Sequence, residues 1–110
     1  MIQIEKELST AKKASIKSAE LLTGKKTSIN NLISNEGRDV KLQADIESEK
    51  IIKNYLKEFS DLPILAEESG ANEHLGSSFW VVDPLDGTSN YSRDFPICCI
   101  SIALIHENKI

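Results

Sequence analysis

The sequence predicts a layered domain of α-helices and β-strands, of the α+β or α/β class, and three observations lead to this prediction. Two stretches, 2–22 and 45–59, repeat apolar residues at the three- and four-residue spacing of amphipathic helices. Short apolar runs rich in β-branched residues lie at 63–66, 79–82 and 97–105. Helices with one apolar side and strands that are apolar throughout bury those surfaces by packing together as layers.

The first predicted helix runs from about Ile2 to Leu22, and Gly24 follows at a position where a glycine often ends a helix. Its expected core side consists of apolar and small residues at helical spacing: Ile4, Leu8, Ala11, Ser15, Ala19 and Leu22. The polar segment 25–38 that follows predicts a mobile loop or an irregular hairpin.

A short strand is predicted from Val40 to Ala44. Asp45 is then a candidate N-cap for the second helix, which extends to about Phe59. The run from Pro63 to Ala66 predicts another strand, which ends at a pair of glutamates. A strand that delivers acids at its carboxyl end is a typical way of building a site.

The stretch 79–90 carries the most chemistry, because an apolar run stops there at two carboxylates, a glycine and a threonine. Phe79 to Val82 predicts a strand that is buried on both faces and ends where Asp83 emerges. Pro84 keeps Asp83 extended, so the backbone is expected to turn directly afterwards, with Asp83 and Asp86 pointing into one space. Two carboxylates held together repel unless a cation lies between them, which predicts a site for a hard metal ion.

The residues that follow predict a place for an anion. Gly87 lets the backbone approach a ligand closely, and Thr88, Ser89 and Asn90 are good first residues for a helical turn. Free N–H groups at the start of such a turn attract an anion, so a phosphate is expected beside the metal. An ordinary structural turn is the alternative interpretation of this D-P-L-D-G sequence.

The run D-P-L-D-G-T-S-N-Y from Asp83 to Tyr91, followed by Phe95-Pro96 and the run Ser101–Leu104, resembles the signature of the inositol monophosphatase family. This family belongs to the Mg-dependent, lithium-sensitive type of phosphatases. Two upstream motifs, Glu67-Glu68-Ser69 and Ala44-Asp45, match the family in the same order and at similar spacing.

The resemblance covers roughly residues 39–110 and implies the alternating helix and sheet sandwich of the sugar phosphatase fold. Members of the family are more than twice as long as these 110 residues. Residues 1–110 are therefore expected to be the N-terminal, metal-binding portion of such a domain. The C-terminal half, whose aspartate completes the metal site in the family, is absent from this sequence.

The resemblance also implies a role for each matching residue. The implied metal ligands are oxygen donors at the two acidic strand ends: Glu67, Asp83, Asp86 and the carbonyl of Leu85. Glu68 is expected to support these ligands without contacting the metal itself. Thr88 and Asp45 are the implied catalytic pair, which orients the attacking water, and Gly87 and Thr88 are the implied phosphate-binding residues.

Mg²⁺ is the implied cofactor, with Mn²⁺ as an alternative, and the implied reaction is the hydrolysis of a small phosphate monoester. The partner is then a small phosphorylated metabolite. Fructose-1,6-bisphosphatase and 3′(2′),5′-bisphosphate nucleotidase are the alternative activities, and Ser89-Asn90-Tyr91 resembles the inositol phosphatase and fructose bisphosphatase pattern more than the nucleotidase pattern. A non-catalytic fragment, or a metal-binding half that needs a partner chain, is the alternative of another class.

Composition excludes several other classes of function. The chain has 13 basic and 17 acidic residues, a net charge of −4 and no basic cluster, so nucleic acid is not an expected partner. Charged residues such as Glu5 and Glu7 stand where a signal peptide needs an apolar core, and the longest apolar run is too short to span a bilayer. The expected location is therefore the cytoplasm, without a membrane partner.

Two expectations concern the end of the sequence. Cys98 and Cys99 are adjacent on a predicted strand, so they are expected to be reduced residues of the core. The segment 97–110 is expected to leave a sheet edge and apolar helix faces uncovered, which predicts a homodimer or a larger assembly.

Overall fold

The computed structural model of the protein describes residues 2–24, 32–36, 39–71, 73–92 and 98–110. The helices assigned in these ranges are α1 Ile4–Gly24, α2 Gln43–Phe59 and α3 Thr88–Ser92. The strands are β1 Leu32–Glu36, β2 Asp39–Leu42, β3 Ile64–Ala66, β4 Gly70–Ala71, β5 Ser78–Asp86 and β6 Cys99–His106.

Four of the strands form one mixed sheet in the order β4-β3-β5-β6. The central pair, β3 and β5, is parallel, and the two outer pairs are antiparallel. β1 and β2 form a separate antiparallel ribbon, which confirms the predicted hairpin for this part of the segment, while 25–31 and 37–38 lie outside the described residues. The predicted class, layers of helices and sheet, is confirmed.

The core lies between α1, α2 and one face of the four-stranded sheet. Its members are small or apolar and at most 5% exposed: Ala14, Ile52, Leu56, Ile64, Ala66, Trp80 and Val82. The Trp80 indole is buried, and its Nε1–H donates a hydrogen bond of 3.1 Å to Ser60 Oγ, so the one polar atom of the ring is satisfied.

The core side of α1 differs from the prediction by a rotation of about one residue. The buried positions are Glu7, Thr10, Ala14, Ser18 and Leu22. Leu8, which was predicted to face the core, is 52% exposed. Ala14 and Ser18 are small enough for α1 to approach α2 closely, and Ser18 Oγ hydrogen-bonds Ser48 Oγ of α2. Close approach and a polar contact therefore decide the orientation of this helix, not the largest apolar side chains.

β5 is longer than predicted, because it continues through both aspartates to Asp86 and the chain turns only at Gly87. Its register with β6 shifts between Asp83 and Asp86. Pro84 lies within this irregularity, where its missing N–H breaks no regular ladder bond. The strand thus carries both carboxylates past the end of the predicted apolar run.

Only one face of β5 is fully buried, so the prediction of burial on both faces is wrong. Trp80 and Val82 point to the helices, whereas Phe79 and Val81 on the other face are half-buried. This alternation is what an antiparallel or mixed sheet shows when helices cover one side.

Two further predictions are corrected by the structure. α2 begins at Gln43, so Asp45 is not the N-cap but lies inside the first turn, where its buried carboxylate faces another part of the chain. Cys98 and Cys99 are free thiols, but both are exposed, so the prediction that they belong to the core is wrong. Within the described residues, no helix is long and apolar enough to cross a membrane.

The core predicts unequal effects for two isoleucines on the helices. Ile52 is completely buried and Ile16 is 58% exposed. Ile52→Ala is expected to lower the free energy of unfolding by about 2–5 kcal/mol, because it leaves a cavity between α2 and the sheet. Ile16→Ala, the matched control, is expected to stay within about 0.5 kcal/mol. Urea denaturation of both variants measures the difference, and equal losses would contradict the assigned core.

Candidate functional site

The site is organised by the parallel pairing of β3 with β5. Ala66, the last residue of β3, lies opposite Val82, so Glu67 leaves β3 beside Asp83, which is still part of β5. The Glu67 N–H donates to the Val82 carbonyl at 3.1 Å and continues the ladder by one bond. The two acidic positions that the sequence analysis identified are therefore adjacent in the sheet.

The two carboxyl groups of the pair are close enough to hydrogen-bond. This raises the pKa of Glu67 from 4.5 to about 8, and the hydrogen bond with Asp83 is the largest cause. Desolvation raises the pKa further, as does the negative charge of Asp83, followed by the charges of Glu68 and Asp45. Glu67 therefore holds its proton to a higher pH than an ordinary glutamate does.

Thr88 and Asp45 form a second pair in the same region. Thr88 Oγ1 lies 2.8 Å from Asp45 Oδ1 and 3.0 Å from the Leu85 carbonyl oxygen, so its hydroxyl proton has an acceptor in either direction. Asp45 is only 1% exposed. Its position in the first turn of α2 thus serves to hold the threonine at the start of α3.

A buried serine that the sequence analysis did not single out supports the turn between the two pairs. Ser48 Oγ donates to the Pro84 carbonyl at 2.7 Å, and Ser48 is fully buried beside Ser18. A signal was available, because Ser48 stands one turn from Ala44 and from Ile52 on the apolar side of α2. A polar residue in the middle of such a side needs a partner in the core.

Gly87 and α3 close the site. Gly87 has φ of +91°, a left-handed conformation that favours glycine, and its carbonyl accepts a hydrogen bond of 3.0 Å from the Tyr91 N–H. The buried Tyr91 hydroxyl donates to the Leu22 carbonyl at 2.7 Å. The short helix is therefore tied to the end of α1, and the predicted helical turn at Thr88 is confirmed.

The remaining predicted ligand is oriented differently. Asp86 is exposed, and its Oδ2 lies 3.7 Å from Cys99 Sγ on β6. In the part of the chain that the structure describes, no three His, Cys, Asp or Glu side chains are grouped so as to hold a metal ion. Glu67 and Asp83 therefore come together as a pair, and Asp86 does not join them.

This donor set nevertheless fits a small hard cation. Mg²⁺ prefers oxygen ligands, keeps several waters, and is commonly held by one or two carboxylates together with substrate phosphates, not by a closed protein cage. The carboxyl oxygens of Glu67 and Asp83 are donors of this kind, and the Leu85 N–H donates to Asp83 Oδ1 at 3.4 Å, so Leu85 lies beside the pair. A divalent cation bound between two carboxylates also removes the repulsion between their charges.

Comparisons with known proteins identify relatives of this chain. The chain is 42% identical over 82 residues to the Nus factor SuhB of Xylella fastidiosa, a match that covers 72% of this chain and 29% of the relative. It is 37% identical over 109 residues to the fructose-1,6-bisphosphatase/inositol-1-monophosphatase of Aquifex aeolicus, covering 96% of this chain and 41% of the relative. This chain thus spans well under half the length of these relatives.

The solved structures agree on the fold. The extragenic suppressor protein suhB of Bartonella henselae superimposes with a TM-score of 0.81 at 30% identity, over 94% of this chain and 42% of that one. This confirms the helix and sheet sandwich that the resemblance implied. The model of the inositol monophosphatase family matches residues 3–110. The chain therefore belongs to the inositol monophosphatase family.

Proposed function

We propose that the protein takes part in the metal-dependent hydrolysis of a small phosphate monoester. The observation that carries this proposal is the adjacency of Glu67 and Asp83 on two parallel strands, where the hydrogen bond with Asp83 raises the pKa of Glu67. Family membership supports the reaction class. Since the chain spans 41% of the Aquifex relative, the activity of the whole protein is part of the proposal.

The proposed cation is Mg²⁺, with Mn²⁺ as an alternative, and its proposed ligands are Glu67, Asp83, Asp86 and the Leu85 carbonyl. Asp86 requires another rotamer for this role, because its carboxylate is now directed to Cys99. When bound, such a cation supplies positive charge beside the phosphoryl oxygens and lowers the pKa of water. Glu68 follows directly after a proposed ligand and is proposed to support it.

Thr88 and Asp45 are proposed to orient the attacking water. Asp45 is buried and accepts a hydrogen bond from the Thr88 hydroxyl, so an Oγ1 lone pair is left to accept a hydrogen bond from water. The water is thereby held with its own lone pair free for phosphorus. Gly87 and Thr88 are proposed to receive the phosphate, since the left-handed glycine lets the backbone approach it without a side chain in between.

The substrate class is a small phosphorylated metabolite. The Aquifex relative is named fructose-1,6-bisphosphatase/inositol-1-monophosphatase, so fructose-1,6-bisphosphate and inositol-1-phosphate are proposed as test substrates. The alternative from another class is a metal-binding half that acts only with a partner chain. One observation favours this alternative: no group of three potential metal-binding side chains occurs among the described residues.

We further propose a homodimer or larger assembly in the cytoplasm. Ile4 and Ile16 on α1 are 73% and 58% exposed, and Val81 lies on the face of the sheet that no described helix covers. Apolar surface of this kind is typical of an interface. Exposed free thiols at Cys98 and Cys99 are typical of a reducing compartment. Light scattering that returns the mass of a monomer would contradict the assembly.

Mg²⁺ is expected to stabilise the folded chain through Asp83. At 10-fold excess over a Kd of order ~10⁻³ M, linkage raises the free energy of unfolding by about 1.4 kcal/mol. Asp83→Asn is expected to abolish this gain, because it removes one of the paired carboxylates. Asp61→Asn, which removes the same charge from an exposed loop, is the matched control and should keep it. Denaturant titrations with and without Mg²⁺ measure the gain in the free energy of unfolding. Equal gains in Asp83→Asn and Asp61→Asn would show that Asp83 does not bind the ion.

The pKa of Glu67 predicts how stability changes with pH in the absence of metal. The pKa of folded Glu67 is about 8, whereas the ordinary pKa of a glutamate is 4.5, so the folded state binds more protons between these values. The contribution of this group is full below about pH 4.5 and is lost as the pH rises through 8. Melting curves in chelator across this range measure the decline.

Glu67→Gln cannot lose a proton there and is expected to show a shallower decline than the wild type. The control Glu58→Gln, on an exposed side of α2, should keep the wild-type slope. Mg²⁺ should stabilise the wild type more at pH 8 than at pH 6, because the proton and the cation compete for the same oxygens. Identical declines of stability with pH in the wild type and Glu67→Gln would contradict the raised pKa of Glu67.

Hydrolysis itself is expected to depend on Thr88. Phosphate release from inositol-1-phosphate, fructose-1,6-bisphosphate and adenosine 3′,5′-bisphosphate is measured with Mg²⁺, using this chain and any longer product of the same reading frame. Thr88→Ala should lower the rate about 10²-fold, and Thr88→Ser, which keeps the hydroxyl, should retain most of it. Thr23→Ala on the exposed end of α1 serves as the control. No release from any ester by any form would refute the phosphatase proposal.

A further inference from the structure

One side of α2 carries three polar residues at four-residue spacing, and each contacts a different part of the site. Asp45 accepts from Thr88, as described above. One turn later, Glu49 Oε1 accepts a hydrogen bond of 2.8 Å from the Glu68 N–H. A further turn on, Lys53 Nζ donates to Ser69 Oγ at 2.8 Å. Residues four apart lie above one another on a helix, so these contacts form a single row.

The Glu49 contact is the best placed of the three to fix a metal ligand. Glu49 is only 6% exposed, although it carries a carboxyl group. Its partner is the backbone amide of Glu68, directly after Glu67. The Glu67 amide is itself bonded to Val82 of β5. The backbone around Glu67 is therefore held from two sides, by the sheet through its own N–H and by α2 through the next one.

We propose that Glu49 is a positioning residue, which sets the place of Glu67 beside Asp83 by anchoring the turn after β3 to α2. This inference rests on the proposed function, in which Glu67 and Asp83 bind the cation. Because Asp45 belongs to the same row, a rigid helix fixes the separation between the metal-holding acids and the water-orienting Thr88. Lys53 and Ser69 extend the anchor at the surface end of the row.

A structural role and a positioning role for Glu49 predict different effects of its substitution. A structural residue changes the stability of the metal-free chain and leaves the Mg²⁺ affinity of the folded fraction unchanged. A positioning residue changes the Mg²⁺ affinity, because outer partners of metal ligands typically contribute about 10- to 100-fold to it. The required property is an acceptor oxygen at the right reach, and not the charge.

The test compares four variants of this chain by the Mg²⁺ concentration that gives half of the maximal thermal stabilisation. Glu49→Ala is expected to raise that concentration about 10-fold or more. Glu49→Asp, which keeps the charge but shortens the reach, should raise it as well. Glu49→Gln keeps an acceptor oxygen at the same reach and should stay within about 3-fold of the wild type. Lys50→Ala, on the neighbouring exposed side of α2, is the control.

A second measurement does not depend on metal. Hydrogen exchange at the Glu68 amide should become faster in Glu49→Ala and Glu49→Asp, whereas the Leu65 amide within β3 should keep its protection. If Glu49→Ala does not fold, Glu49→Asp decides both measurements. The positioning role would be overturned if the folded Glu49→Ala and Glu49→Asp variants needed the same Mg²⁺ concentration as the wild type for half of the maximal stabilisation. Absence of any Mg²⁺ effect in the wild type would instead overturn the proposed function together with it.

Discussion

The parallel pairing of β3 with β5 is the constraint on which the rest of the site depends. Parallel strands end at the same edge of a sheet, and the register of Ala66 with Val82 makes Glu67 and Asp83 neighbours. Two carboxyl groups brought together in this way are unfavourable when both are charged. The core that holds the strands, with Trp80 and Val82 packed under α2, therefore maintains an arrangement that a proton or a cation must neutralise.

α2 connects this acidic pair to the other chemical groups. Its first turn holds Thr88 through Asp45. Its middle holds the Pro84 carbonyl through Ser48 and the Glu68 amide, just after β3, through Glu49. These contacts explain why α2 buries polar residues on the side where an ordinary amphipathic helix would carry only apolar ones. The polar groups are satisfied in pairs, so their burial carries little penalty while it limits the freedom of the site.

Local patterns allowed much of this arrangement to be predicted from the sequence. The helices, the strand at 64–66 and the acidic strand ends follow from periodicity and from the D-P-L-D-G run. The orientation of α1 and the extent of β5 did not follow, because they depend on tertiary contacts. Ser18 faces α2 through a hydrogen bond, and β5 continues past Asp83 because β6 supplies a partner.

Strand register brings Glu67 and Asp83 together as the proposed cation site. Anomalous scattering from crystals of this chain grown with Mn²⁺ tests it most directly, because the signal locates the ion independently of any activity. A peak is expected within coordination distance, about 2.0–2.3 Å, of both carboxyl groups, and it should be lost in Asp83→Asn crystals. A fully occupied peak elsewhere in the chain, with none at this pair, would rule out the proposed site.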